Sequence, residues 1–323
     1  CGRIDYEVVG GGIEDAAVPD AESCSNGAQD GDETDVDCGG TCPSCDTGAT
    51  CAQGADCLSE ICVSGVCEID HAATWSQIER FAATEGPYAD EDPTLTADEL
   101  EMYFTANDRG PTKDIWRVSR ASIADPWGTP ERVAELSSDW EDNTPRISSD
   151  GLSIWLASKR AGLGEDDFYQ ATRSRRDEAW STPSEVSELS DFASGKLYPT
   201  PFADGLELWF SGGGDIYRTT REVRSDPWGA PQAVAAISNG EFDFGPFPLD
   251  VNLVYFASGT EDHESTRIYV AWRPSSAEPF TFVGMPELDS SDTASDPWVS
   301  ADGKRIYFSS RVLGYPQIYE ASR

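Results

Sequence analysis

The sequence predicts an all-β chain in which five four-stranded units close into a ring, behind a small module held by disulfides. Three observations predict it. An apolar-aromatic strand recurs five times, as LEMYF (100–104), LSIWL (152–156), LELWF (206–210), NLVYF (252–256) and KRIYF (304–308). A Trp-led segment recurs at Trp75, Trp127, Trp180, Trp228 and, as Phe, at Phe280, with spacings of 52, 53, 48 and 52 residues. All nine cysteines lie at or before Cys67. Repeats near fifty residues with four short strands each are the mark of radial sheet repetition, so the ring is a five-bladed β-propeller.

Each unit runs in the same order. A proline marks the first strand, at Pro93, Pro145, Pro199, Pro246 and Pro297, and an aspartate follows at Asp98, Asp150, Asp204, Asp250 and Asp302. The aromatic strand comes next. A third strand pairs an apolar with an aromatic residue: Ile115–Trp116, Phe168–Tyr169, Ile216–Tyr217, Ile268–Tyr269 and Ile318–Tyr319. The Trp segment closes the unit. The fifth unit, from about 290 to 323, lacks that last piece, while TWSQIERFAAT (74–84) stands alone ahead of the first unit. Placing the orphan beside Ile318–Tyr319 completes five blades and pairs a strand edge that would otherwise be exposed. The repeated rings, Trp116 and its equivalents included, are expected to pack between blades.

The chain has 323 residues, 59 of them acidic and 23 basic, for a net charge of −36. Nucleic acid is excluded as a partner, because binding it needs clustered Lys and Arg to replace counterions. Eight cysteines, Cys24, Cys38, Cys42, Cys45, Cys51, Cys57, Cys62 and Cys67, form an even cluster without histidine, which reads as four disulfides of unassigned pairing in an oxidising compartment. Zinc at CPSC (42–45) is the competing reading. The expected organisation is a tether over 1–23, a cysteine module over 24–70 and the propeller over 71–323. Within the module, Asp30, Asp32, Glu33, Asp35 and Asp37 crowd five carboxylates into eight residues. Bound Ca²⁺ would offset their repulsion, and it is the one cofactor expected; a solvated acidic loop is the alternative.

CGRIDYEVVGGG (1–12) resembles the mature start of a bacterial lipoprotein, which implies acylation at Cys1; a free cysteine is the alternative. Gly2 is not the acidic residue that holds such proteins at the inner membrane of enteric bacteria, so the resemblance implies an outer-membrane or surface location. CSNGAQDGDETDVDCGGTCPSC (24–45) resembles modules of secreted and surface proteins of myxobacteria. SSDGLSIWLASKRAGLGEDDFYQAT (148–172) and SADGKRIYFSSRVLGYPQIYEAS (300–322) resemble TolB-type, WD40-like repeats of envelope proteins, a likeness covering about 72–323. Unit four departs from the pattern, with Asp250–Val251 for Asp-Gly and Arg267 where an Asp precedes Ile-Tyr. The resemblance implies a binding platform.

No GxSxG, Walker-type or HExxH motif occurs, and the two histidines, His71 and His263, read as surface residues. The loops entering the Pro strands are acidic and carry aromatics. Trp140, Asp142, Phe192, Phe242 and Asp243 are the candidates for a ligand face on a cup at the ring's axis. The expected function is non-catalytic: a lipid-anchored envelope platform for a surface protein or a glycan, or a subunit of a larger assembly. The alternative is a carbohydrate-active enzyme using two funnel carboxylates, with Asp142 and Asp243 the ones to test.

Overall fold

A computed structural model describes residues 23–323 except 46, 70–73, 111, 163, 193–194, 203, 239–240, 261–264, 274, 285–287, 289–292 and 312–313. Cys1, nearly all of the expected tether, His71 and His263 lie outside the described residues. The chain divides into two compact units, Cys1–Glu68 and Ile69–Arg323.

In the first unit the eight cysteines pair as Cys24–Cys42, Cys38–Cys45, Cys51–Cys62 and Cys57–Cys67. A short hairpin, Cys62–Val63 with Val66–Cys67, and two single-turn 3₁₀ segments are its regular structure. Four of the half-cystines are its buried apolar centre, Cys45, Cys51, Cys57 and Cys67. A segment this small cannot bury enough surface to fold on packing alone, so cross-links stand in for a core.

The second unit is the five-bladed propeller. Its first blade pairs Asp90–Leu95, Glu101–Ala106, Asp114–Ser119 and Glu131–Arg132 in order, all antiparallel. Blades two, three and four repeat this from Asp142, Leu197 and Phe242. The fifth takes Ala294–Val299, Arg305–Ser310 and Gln317–Ser322 from the C-terminal end and Ser76–Arg80 from the N-terminal side of the unit. Tyr319 pairs with Arg80, Glu320 with Glu79 and Ser322 with Ser76, so the orphan segment closes the ring as expected. The first strands of neighbouring blades lie side by side around the axis.

The aspartate before each aromatic strand caps the hairpin that joins strands one and two. Asp150 Oδ1 accepts from Ser148 Oγ at 2.6 Å and from Leu152 N at 2.9 Å, and Asp204, Asp250 and Asp302 accept equivalent backbone bonds. Short carboxylate caps of this kind satisfy turn amides that no strand can reach.

Aromatic strands send alternate side chains to opposite sheet faces. One ring meets the next blade's Trp edge-on: Tyr103 with Trp180 at 5.9 Å, Trp155 with Trp228 at 6.0 Å and Trp209 with Phe280 at 5.8 Å between centroids. The other ring stacks within its own blade, as Phe210 on Tyr217, Phe256 on Tyr269 and Phe308 on Tyr319. The third-strand rings share a sheet face with that second ring and also pack between blades, as expected: Tyr169 lies with Tyr103 and Ile115, Tyr217 with Trp155 and Phe168, and Tyr269 with Trp209 and Ile216 of the preceding blade.

An arginine four residues after each third-strand aromatic completes the outer edge. Arg120, Arg173, Arg221, Arg273 and Arg323 lie 4.2–4.4 Å over Trp127, Trp180, Trp228, Phe280 and Trp75. Each also donates from Nε to a carbonyl of its blade's strand-one-to-two turn: Glu99, Gly151, Gly205, Val251 and Gly303, at 2.6–2.9 Å. The guanidinium thus clamps strand three, turn and Trp segment together. In the fifth blade this clamp joins Arg323 to Trp75, the two ends of the ring.

Candidate functional site

The site starts from a backbone feature. The residue before each first-strand proline has a positive φ: Asp92 (61°), Thr144 (46°), Tyr198 (59°), Gly245 (59°) and Asp296 (55°). A residue before proline ordinarily takes an extended backbone, and left-handed φ is uncommon outside Gly, Asn and Asp. At each of the five places the strand pairing slips, so every first strand carries a bulge at the same level. Bonds from the preceding blade hold four of these bulges. Asp92 N donates to Ser309 Oγ, Thr144 N to Thr105 Oγ1 and Gly245 N to Ser211 Oγ, each at 3.1 Å. Blade two has Ala157 in place of that hydroxyl, and there Tyr198 N donates to Thr144 Oγ1 at 3.0 Å.

A bulge turns the side chain out of the sheet. Asp92, Thr144, Tyr198 and Asp296 line a cavity of about 300 Å³ among the blades, at the small end of the range for small-molecule sites. One wall is charged. Lys113 pairs with Glu91, Lys159 lies 2.5 Å from Glu141, and Asn143 Nδ2 donates to Asp166 Oδ1 at 3.2 Å. Another part of the lining is aromatic: Tyr198, Phe244 and Phe242 stand in a row, with centroids 5.7 and 5.9 Å apart, and Gly212 and Gly214 also line the cavity. Beneath Tyr198 the buried Arg146 places its guanidinium 5.3 Å from the ring centre, donating to Thr200 Oγ1 and to the carbonyl of Pro145.

Burial sets the electrostatics. It pushes the Asp92 carboxyl up to about 8, helped by the negative charges of Asp296 and Glu91. Asp92 is therefore a carboxylic acid at neutral pH. Burial raises Asp166 as well. Glu141 moves the other way, held ionised by the hydrogen bond from Lys159. For Lys113 burial pulls down, but Glu91 and Asp92 outweigh it and the net shift is upward. Four lining residues keep a buried polar atom with no hydrogen-bond partner: Asn143 Oδ1, Thr266 Oγ1, Asp296 Oδ1 and Ser310 Oγ. Such atoms are costly unless a water or ligand meets them.

Of the sequence candidates, Phe242 lines the cavity. Trp140 is 49 % exposed, set against Gly162 next to Glu141. Phe192 packs between Phe210 and Tyr217 at 5.7 and 4.9 Å. Asp142 is fully buried outside the cavity wall, where it accepts from Arg160, Ser158 and the Ser138 amide. Asp243 is fully buried outside that wall too. These two stand two residues ahead of the bulge that turns Asp92 and its equivalents toward the cavity. The signal for the true lining, an identical x-Pro step in all five units with Asp, Thr, Tyr, Gly and Asp as x, was present in the sequence.

In the cysteine module the acidic residues serve the loop's own backbone. Asp37 accepts from the amides of Asn26 and Gly27, Glu33 from those of Asp30 and Asp37, and Asp35 from Thr50 N at 2.6 Å. The amide of Thr50 and then that of Val36 hold Asp35 below the usual carboxylate range. Asp32 accepts from Thr41 Oγ1, and Asp30 from the Asn26 side chain. Among the described residues the only carboxylate in a metal-sized group is Glu33, with Cys24 and Cys42, and those two sulfurs are bonded to each other.

No protein-family profile matches the chain, and no curated protein sequence matches it. Solved structures do match in fold. An α-L-arabinofuranosidase from Podospora anserina, solved with cellotriose, is similar over 77% of this chain and 96% of its own, with TM-score 0.56 and 12% identity. A thermostable family-43 glycoside hydrolase is similar over 76% and 91%, with TM-score 0.53 and 13% identity. A putative TolB from Agrobacterium tumefaciens matches over 72% and 76%, with TM-score 0.46 and 18% identity. The expectation that this chain is not an enzyme is corrected here: the propeller it shares with these proteins is one on which glycoside hydrolases are built, so its fold gives no ground for excluding catalysis.

Proposed function

We propose that the axial cup receives the end of a glycan chain and hydrolyses a glycosidic bond, with Asp92 as general acid and Glu141 as general base. The observation that carries this reading is a cavity lined by carboxyl groups in opposed environments: Asp92 is buried beside Asp296 and Glu91, which favours its protonated form, and Glu141 is ion-paired with Lys159, which favours its ionised form. Groups whose environments push their pKa values apart are the form acid and base catalysis takes. In the step itself, Asp92 Oδ–H gives its proton to the glycosidic oxygen as the bond to the anomeric carbon breaks. Glu141 takes a proton from the water that attacks that carbon, and the two residues exchange protons with solvent afterwards.

The unpaired acceptors and hydroxyls of Asn143, Thr266, Asp296 and Ser310 suit a polyhydroxylated ligand, and the Phe242–Phe244–Tyr198 wall suits the apolar face of a sugar ring. Neighbours in fold include proteins described as an α-L-arabinofuranosidase and a β-xylosidase, which makes arabinosyl and xylosyl linkages the first to try. Eight paired cysteines support placing the protein outside the cytoplasm, where its glycan would be met.

The test is release of 4-nitrophenol from α-L-arabinofuranoside and β-xyloside conjugates, and of reducing ends from arabinoxylan and arabinan. Wild-type turnover lost in Asp92→Asn and in Glu141→Gln, with unchanged near-ultraviolet circular dichroism, supports the reading. Absence of turnover by the wild-type chain on all of them overturns it.

A further inference from the structure

Asp296 is 3% exposed and lines the cup; Ser295 Oγ donates to its Oδ2 at 2.9 Å, and its Oδ1 has no hydrogen-bond partner. The neighbouring first strand leaves that oxygen uncovered, because the equivalent residue there is Gly245, whose missing Cβ would stand 3.6 Å from it. Asn143 Oδ1, 7% exposed as a residue, is a second unpaired acceptor lining the same cavity. Both atoms ask a ligand for donors. Arg146, beneath the floor, acts on Asp92 and Asp296 through its charge and the Tyr198 hydroxyl lies beside the Asp296 carboxylate, but among the described residues Arg146 hydrogen-bonds neither aspartate and its Nη2 is unpartnered.

An ammonium group answers this arrangement better than a hydroxyl. It carries three donors and no acceptor, and it brings the charge that a buried carboxylate lacks. Aromatic faces add to the attraction for a cation, and Phe242, Phe244 and Tyr198 line the same cavity as Asp296. Resting on the glycan reading above, we infer that the cup selects a glycan end bearing a free amino group, a deacetylated amino sugar, with Asp296 taking the ammonium. The charge balance of the chain, −36 overall, draws such a ligand in rather than repelling it.

Titration calorimetry on the whole chain tests this, at a mildly acid pH that keeps the amine charged. The probes are a glucosamine tetramer, its fully N-acetylated form, xylotetraose and pentalysine. The glucosamine tetramer is expected to bind at least about tenfold more tightly than the acetylated one, the scale of one charge-assisted hydrogen bond. Asp296→Asn, which keeps the shape and tolerates the left-handed backbone, should abolish that preference. Phe242→Leu, at a half-buried position, should reduce it and gives a second reading if the first variant misfolds. Equal binding of the two tetramers, or a preference that survives Asp296→Asn, overturns the inference. So does binding of pentalysine without the glucosamine tetramer, which would make the ligand a peptide. Binding or cleavage of the xylose probe alone, or binding of none of the four, sinks the amino-sugar inference; hydrolysis is decided separately by turnover of the arabinosyl and xylosyl substrates.

Discussion

At the outer edge of the ring all five sectors carry the same chemistry: an arginine over an aromatic ring, its Nε on a turn carbonyl. At the axis the five sectors share a backbone and nothing else. The same left-handed residue before the same proline is Asp, Thr, Tyr, Gly and Asp in turn. Where the task is to hold a strand to its neighbour, one solution serves five times. Where the task is to meet an asymmetric ligand, five identical side chains would present a symmetric surface, and the positions differ. The contrast also separates two kinds of buried charge. Outer Arg173 bonds Glu101 at 2.7 Å and stacks on Trp180, so its charge is answered within the protein. Inner Asp296 keeps an oxygen unanswered.

Substitutions that spare one edge and damage the other would break or sharpen that comparison. The largest effect is expected at the axis. Asp92→Asn should lower kcat/KM on a cleaved glycoside by about 10²–10⁴-fold, the range for a lost general acid, while denaturant unfolding at neutral pH shows a chain at least as stable. A variant with full activity would end the assignment of the acid. Next comes the edge: Trp180→Ala removes a ring that meets Tyr103 and lies under Arg173, and should cost about 3–5 kcal/mol in a urea titration, with glycan affinity unchanged in the folded protein. A change in affinity larger than the change in stability would erase the division between edge and axis.

A smaller loss, about 1–2 kcal/mol, is expected for Arg221→Leu, which gives up one cation–π contact and one carbonyl bond. Arg173→Leu should cost more than Arg221→Leu because it also takes the guanidinium from Glu101, leaving the Tyr103 hydroxyl as its remaining side-chain donor among the described residues; equal costs would show that the ion pair contributes nothing. The remaining effect is a slope in pH. The Asp92 carboxyl sits near 8 in the folded chain, against about 4 unfolded, so the folded state holds an extra proton between those values. Stability contributed by this group is complete at the acid end and is lost as pH rises toward 8. The midpoint gained by Asp92→Asn should therefore be greater at pH 8 than at pH 4, and a gain independent of pH would remove burial as the source of the shift.

Reading the chain as a sequence recovered the ring, the strand order and the closing strand, because period and alternation are local signals that survive without coordinates. Of the residues it singled out for the cup, Phe242 lines the cavity while Asp142 and Asp243 lie outside its wall. Asp142 and Asp243 lie two residues ahead of the bulge, and alternation alone gives no hint that it re-aims the side chains; that needs the left-handed backbone at Thr144 and Gly245. The arginines of the outer clamp were equally present, four residues after each third-strand ring, yet their role depends on a turn about twenty residues earlier in the chain.

By itself, then, the sequence determined how many blades form and which segments make them, since burying one face of each short strand leaves no other regular arrangement. Which cysteine joins which, which carboxyl is protonated and which oxygen goes unpaired were decided only in three dimensions. Those properties depend on distances between residues far apart in the chain and on the solvent that packing removes, and neither quantity is written in any local pattern.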